Sequence, residues 1–330
     1  MPEKSLIGRI RRGIPPPQQA KTGLAGGPGR RSGAVVAGIG EDCAVLRLPR
    51  GHEVLVTTDF TLEGVHFRRE WHPPEVVGRR CLTRGLSDIA AMGGEPRAAF
   101  LSIALAGEVS QRWVDRFLKG LLELAQEFGV PLAGGDTAQS AGGIQADIVV
   151  VGSVPKGKAV LRSGARAGDH IYVTGELGGS AAAIAALRKG RVRAGDYERH
   201  FHPTPRVEAG MWLRRRGLAS AMIDVSDGLS TDLGHICEES GVGAEIEAEA
   251  IPRAQVGGPA REVAGALASH GGEDYELLFT SAGRIPARVA GVRVTRIGRI
   301  VRGRGMVAIG EDGRRRRLAA KGWEHFKGNL

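Results

Sequence analysis

Cysteine is scarce in this sequence: Cys43, Cys81 and Cys237 lie far apart and form no Cys-x-x-Cys pair. A disulfide framework and a thiolate zinc site are therefore disfavoured, and a reducing, cytoplasmic setting fits. Aromatic residues make up only 5%, lean for a protein that stacks on single-stranded nucleic acid. No apolar run approaches the ~18 residues a membrane span needs. The start carries Arg9, Arg11 and Arg12 but neither the apolar core nor the cleavage site of a secretory leader. Several catalytic signatures are also missing. No G-x-G-x-x-G opens a helix after a strand, and there is no G-x-S-x-G elbow or H-E-x-x-H pair. Gly152-Ser153-Val154-Pro155-Lys156-Gly157-Lys158 matches the spacing of a P-loop, but Ala159 replaces the Mg²⁺-binding hydroxyl and Pro155 removes a backbone donor. It reads as a turn with exposed lysines. Cys43 adjoins Glu41-Asp42, a poor setting for a thiolate, so nucleophilic catalysis by the protein is disfavoured.

What is present is length, glycine and positive charge. The 330 residues, 42% of them hydrophobic, suffice for two domains with substantial cores. Lys and Arg exceed Asp and Glu by 46 to 36, a net +10. The basic residues are dispersed apart from Arg314–Arg317, which reads as a solvated face, so no specific nucleic-acid partner is expected. The stretch 13–33, rich in Gly, Pro and basic residues, reads as a mobile loop that orders over a ligand.

Beyond it, strand and helix patterns alternate. Strands are expected at 35–48, 54–60, 97–106, 130–133, 144–154, 170–174, 221–225, 244–248, 275–280 and 292–300. Helices are expected at 74–92, from the Ser110 N-cap to Gly129, and at 180–189, 206–216, 230–239 and 259–269. The fold class is α/β of the α+β type, as two sheet-and-helix domains, 1–155 and 156–330.

The acids carry the chemical signal. They recur beside Gly, Ser or Thr at the ends of apolar segments: Gly38-Ile39-Gly40-Glu41-Asp42, Thr57-Thr58-Asp59, Leu86-Ser87-Asp88, Gly134-Gly135-Asp136-Thr137, Asp224-Val225-Ser226-Asp227-Gly228 and Gly271-Gly272-Glu273-Asp274. Any one of these can be a turn residue or N-cap. Repeated through one chain, they suit a hard cation such as Mg²⁺, which takes oxygen ligands and offsets carboxylate repulsion. Cations so held would bridge phosphate oxygens, the arrangement phosphoryl transfer needs.

The ordered segments GIGEDCAVL, TTDFTLEGVHF, LSDIAAMGG, GGDT, VLRSGARAGD, IDVSDGLSTDLGHI, GGEDYELLFT and KGWEHF resemble the thiamine-monophosphate kinase family. That family belongs to a superfamily with aminoimidazole-ribonucleotide synthetase, selenophosphate synthetase and the HypE-type hydrogenase-maturation protein. The resemblance runs from about Gly38 to Phe326. It implies transfer of the γ-phosphoryl group of ATP to thiamine monophosphate, giving thiamine diphosphate. By the same resemblance, Asp42, Asp59, Asp88 and Asp136, with Thr57 and Thr58, form a Mg²⁺ cluster that Asp224 and Asp227 complete. Gly135, Arg162 and Ser226, beside Asp136, contact ATP phosphates, and Asp59, Asp136, Arg162 and Asp227 carry the transfer. His66, Glu273 and Trp323 face the thiamine moiety, Trp323 by stacking on a flat cation. Trp323 as a core anchor, His66 as a structural histidine and Arg162 as a salt-bridge partner are the open alternatives.

The resemblance further implies a homodimer in which first-domain strands close a barrel, with loop 13–33 over the nucleotide. Three departures stand out: Glu41-Asp42 for the usual Asp pair, Gly85 for the usual Asn, and Ala138-Gln139 after GGDT. The alternative acceptor chemistry is that of another ATP-using member such as aminoimidazole-ribonucleotide synthetase.

Overall fold

A computed structural model describes residues 34–190, 192–257 and 261–323. The loop expected at 13–33 lies outside the described residues. The chain divides into two compact units. One comprises the described residues up to Ile89 with Glu95–Gly157; the other comprises Ala90–Gly94 with those from Lys158 onward.

The first unit opens with β1 (Val35–Ala37) and β2 (Val45–Leu46), paired antiparallel. One strand was expected over 35–48. Gly40, at φ 115°, lies in the left-handed region that breaks an extended run, so the Gly-Ile-Gly-Glu-Asp segment connects two short strands instead. Then follow β3 (His52–Leu62), α1 (Pro74–Ala91), β4 (Glu95–Leu105), α2 (Gln111–Phe128), β5 (Leu132–Gln139) and β6 (Gln145–Pro155). The sheet order is β3-β6-β4-β5, with β4 and β5 parallel and the other neighbours antiparallel. β5 runs farther than the expected 130–133 and carries the whole Gly-Gly-Asp-Thr motif.

Local chemistry sets the helix ends. The Ser110 hydroxyl accepts the Trp113 N–H at 3.2 Å, and Gly129 closes α2 at φ 63°. Val114, Phe117, Leu118, Leu121 and Leu124 then fall on one buried stripe. Gly120 lets the helices touch, since a Cβ there would overlap the Glu75 carbonyl.

The second unit contains β7 (His170–Thr174), α3 (Gly179–Leu187), α4 (Glu198–Phe201), α5 (Val207–Arg215), β8 (Ala221–Asp224), α6 (Leu229–Ser240) and β9 (Gly243–Glu247). It continues with β10 (Gln255–Val256), β11 (Arg261–Glu262), α7 (Gly265–His270), β12 (Leu277–Ser281), β13 (Arg288–Val289), β14 (Val292–Val301), β15 (Gly305–Ile309) and β16 (Arg315–Arg317). Its main sheet runs β16-β15-β9-β14-β7-β12-β8. Ile171, Val173, Ile223 and Leu278 from the strands pack with Leu229, Leu233 and Ile236 of α6 in one core.

The helix expected from Pro259 is shorter, beginning at Gly265; Pro259 itself lies outside the described residues, and Arg261–Glu262 belong to a hairpin strand. The basic run forms edge strand β16, where Arg315 pairs with Glu245. Among the described residues, no helix is long and apolar enough to cross a membrane.

Candidate active site

In the first unit, strand and helix spacing match the acids to partners. Thr57 and Asp59 stand two apart on β3 and so share a face; Arg84 and Asp88 stand four apart on α1, about one turn. Two strand residues and one helical turn span nearly the same length. Accordingly the Thr57 hydroxyl donates to Asp88, while Arg84 Nη1 meets Asp59 Oδ1 at 3.3 Å. Thr58 alternates to the other face, where its hydroxyl donates to Asp147 Oδ1 at 2.6 Å. Its side chain thus separates from those of Thr57 and Asp59, and Asp147 is an additional acid that the sequence motifs did not single out.

Gly85 sits on the buried side of α1 against Val150 of β6, and a Cβ there would crowd the valine methyl. Its departure from Asn accompanies a close helix-to-sheet approach. Cys81, on the same helix, is fully buried, and burial pushes its thiol up to about 12.

Asp42 and Asp136 face a different space in the same unit. They line a cavity of about 530 Å³ with Gly40, Glu41, Gly134 and Gly135; Asp59 and Asp88 are not among its lining residues. Both aspartates are exposed, and Asp136 Oδ1 accepts the Thr137 N–H at 2.8 Å. Gly135 has a packing reason for being glycine. Its φ is 149°, and a Cβ would overlap the Leu101 carbonyl of β4. His66 lies just beyond β3, where its Nδ1 accepts the Leu62 N–H at 3.0 Å.

In the second unit, two distant stretches converge on the loop after β8. The Ser226 carbonyl accepts the Glu273 N–H at 2.7 Å, and the Asp227 carbonyl accepts the Trp323 N–H at 2.9 Å. Gly272 and Gly322 lie so near that a Cβ on either would overlap those same two carbonyls. Glu273 takes φ 63°, a left-handed conformation costly for a non-glycine residue. The Gly322 N–H bonds the Thr231 hydroxyl at 3.0 Å, which helps fix the terminal segment on α6. Asp224, Ser226, Asp227, Glu273 and Trp323 are thereby gathered in one region. Trp323 is 48% exposed, so it is not a core anchor. Arg162, exposed at the start of a single 3-10 turn, pairs with no carboxylate among the described residues.

Asp232 was not anticipated. Buried on α6, its Oδ2 accepts the N–H groups of Asp227 at 3.2 Å and Gly228 at 3.0 Å and so fixes the loop from beneath. Burial, with the nearby Asp224 and Asp227 carboxylates, pushes its carboxyl up to about 8. Asp227, Asp232 and His235 bring their ligand atoms within 4.8 Å of one another. The sequence signal was available, since Asp232 and His235 stand three apart on one face of a helix opening directly after Ser-Asp-Gly.

Comparisons with known proteins identify the family. The family described as AIR synthase related protein matches by its N-terminal domain over residues 40–154 and by its C-terminal domain over residues 166–312. The thiamine-monophosphate kinase of Salmonella typhimurium is 37% identical over 308 residues, covering 88% of this chain and 92% of its own. The crystal structure of thiamine-monophosphate kinase from Stenotrophomonas maltophilia is 34% identical with a TM-score of 0.78, covering 95% of this chain and 97% of its own. AaThiL, solved in complex with AMPPCP and TMP, is 32% identical with a TM-score of 0.75, covering 85% and 89%. With relatives this similar over most of its length, the chain belongs to the thiamine-monophosphate kinase family of the AIR synthase related proteins.

Proposed function

We propose that this chain is an ATP-dependent thiamine-monophosphate kinase, moving the γ-phosphoryl group of ATP onto the phosphate of thiamine monophosphate. The observation that carries this reading is the gathering of Ser226-Asp227, Glu273 and Trp323 by backbone hydrogen bonds. Residues that the family resemblance gives to nucleotide, cation and acceptor meet there, although they are drawn from separate stretches of chain.

The donor set suits Mg²⁺. Each unit taken by itself offers oxygen donors, Thr57 with Asp59 and Asp88, and separately Asp42 with Asp136, in the first, and Asp224 with Asp227 in the second; a hydroxyl already touches the Asp88 carboxylate. Thr58 would serve through its backbone, since its hydroxyl is engaged with Asp147. Bound there, Mg²⁺ supplies charge neutralisation between two polyanions and a fixed oxygen-coordinated template.

The protein's own residues bind and orient. Arg162, without a carboxylate partner among the described residues, offers its guanidinium to ATP phosphates, a role that the resemblance also gives to Gly135 and Ser226. Trp323 stacks on the thiamine heterocycles, and His66 and Glu273 hold the same substrate. The attacking phosphate oxygen is already anionic, so no strong general base is required and the barrier falls chiefly through orientation and charge.

The working form in this proposal is a homodimer. β3 lies at the edge of its sheet, and one face exposes Val54 at 51%, Val56 at 66% and Phe60 at 58%. An apolar face on an edge strand invites pairing with a second copy, consistent with strands closing a barrel between protomers. Cytoplasmic placement is in keeping with three unpaired thiols. The direct test is to incubate the purified protein with ATP, Mg²⁺ and thiamine monophosphate and assay thiamine diphosphate; no product would sink the reading.

A further inference from the structure

A short hairpin in the second unit sets two arginines side by side. Arg288 of β13 pairs directly with Arg293 of β14, an arrangement that like charge penalises. Both are exposed, and among the described residues neither meets a carboxylate; Arg288 donates to the Gly291 carbonyl at 3.0 Å. They edge a concavity of about 410 Å³ that Glu176, Arg199 and Arg206 also line.

Charge around this concavity does not balance. Buried Glu276 accepts Arg206 Nε at 2.7 Å and Arg199 Nη1 at 3.1 Å, and Glu176 accepts Arg199 Nη2 at 3.1 Å. Those two acids offset those two bases. Glu276 is also held by the Thr174 hydroxyl at 2.6 Å, against a glycine, Gly175, where any Cβ would overlap the carboxylate. Pinned from several sides, it is not available to the hairpin, and Arg288 and Arg293 remain in excess.

We infer that this concavity is a binding site for a small phosphate-bearing anion, held by Arg288 and Arg293. None of its lining residues is among those assigned to ATP, Mg²⁺ or thiamine monophosphate. Two unbalanced guanidiniums call for about two negative charges on one compact group, which a phosphate monoester or free phosphate supplies near neutral pH. Guanidinium forks also match phosphate oxygens in pairs. A monocarboxylate would leave one charge unanswered.

The test is calorimetric titration of the full chain with inorganic phosphate, glycerol phosphate and succinate, at matched ionic strength and with EDTA present. Chelation leaves the aspartate motifs without a cation to hold phosphate, and the Arg288 and Arg293 variants separate this site from Arg162, so the outcome is independent of the kinase reading. Saturable binding of a phosphate form is expected, weakened on the order of tenfold by Arg288→Ala or Arg293→Ala and lost in the double variant. Whichever phosphate form binds more tightly supports the site and names its source. Arg293→Glu, which makes the cross-strand pair attractive, should raise Tm in phosphate-free buffer and abolish the phosphate response. Absence of saturable binding in the wild type, unchanged binding in the double variant, or succinate binding as tight as phosphate would overturn the inference.

Discussion

Asp59 and Asp136 are the residues on which the proposed cation chemistry depends most. Replacing either with Asn keeps its shape but removes the charge a divalent ion needs. Asp59→Asn and Asp136→Asn should therefore lower kcat by about a thousandfold or more, a loss in the range seen for single charge-stabilising groups, with an unchanged circular dichroism spectrum. Near-normal turnover in both would remove the mechanism. Trp323 is exposed and held by its backbone, so Trp323→Ala should leave folding intact and raise the KM for thiamine monophosphate about tenfold, the worth of one stacking contact on a cation. An unchanged acceptor KM would put the thiamine site elsewhere. Asp274 is buried, with Gly178 N–H bonded to it at 2.6 Å, and burial pushes its carboxyl up to about 7 from an ordinary 3.8. A raised carboxyl favours the folded state when protonated. That stabilisation is complete below the unfolded value and is lost as pH rises through the folded one. Wild-type stability should thus fall relative to Asp274→Asn between about pH 4 and 7, with a slope of at most about 1.4 kcal/mol per pH unit. Equal pH profiles in urea melts would show that Asp274 is ionised throughout.

Element ends and surfaces were legible to different degrees. α2 was readable from both ends because capping is local: a serine hydroxyl and a glycine in the left-handed region act within one turn. Ser110→Ala should cost about 1 kcal/mol of stability by denaturant melting, with activity per folded molecule unchanged; no loss would mean that water caps the helix equally well. The stretch 35–48 was less legible, because its hydrophobic residues suit strand on both sides of Gly40 and the break depends on backbone conformation. Asp232 is hard to read from sequence for a related reason. A carboxylate early in a helix is ordinary in sequence, and only the folded loop shows it beneath Asp227 and Gly228.

The exposed apolar face of edge strand β3 calls for a covering partner. Soluble monomers seldom leave an edge strand with several large apolar residues on one exposed face. Val56→Arg places a charge at the most exposed of these positions. It should convert a dimer into monomers in sedimentation velocity while each protomer keeps its secondary structure. A wild-type chain that sediments as a monomer would end the barrel proposal.

Much of this protein was determined by sequence alone: the alternation of strands and helices, the caps of α2, the oxygen-rich motifs and the family they resemble. These depend on periodicity, local hydrogen bonding and residue chemistry, all of which act over a few neighbours. Tertiary structure decided which motifs meet. Only chain packing brings Glu273 and Trp323 to Ser226-Asp227, turns Thr58 away from Thr57, and leaves Arg288 and Arg293 without counter-charges among the described residues. Such contacts join residues tens of positions apart, and they depend on strand register and close glycine approaches that no local pattern encodes.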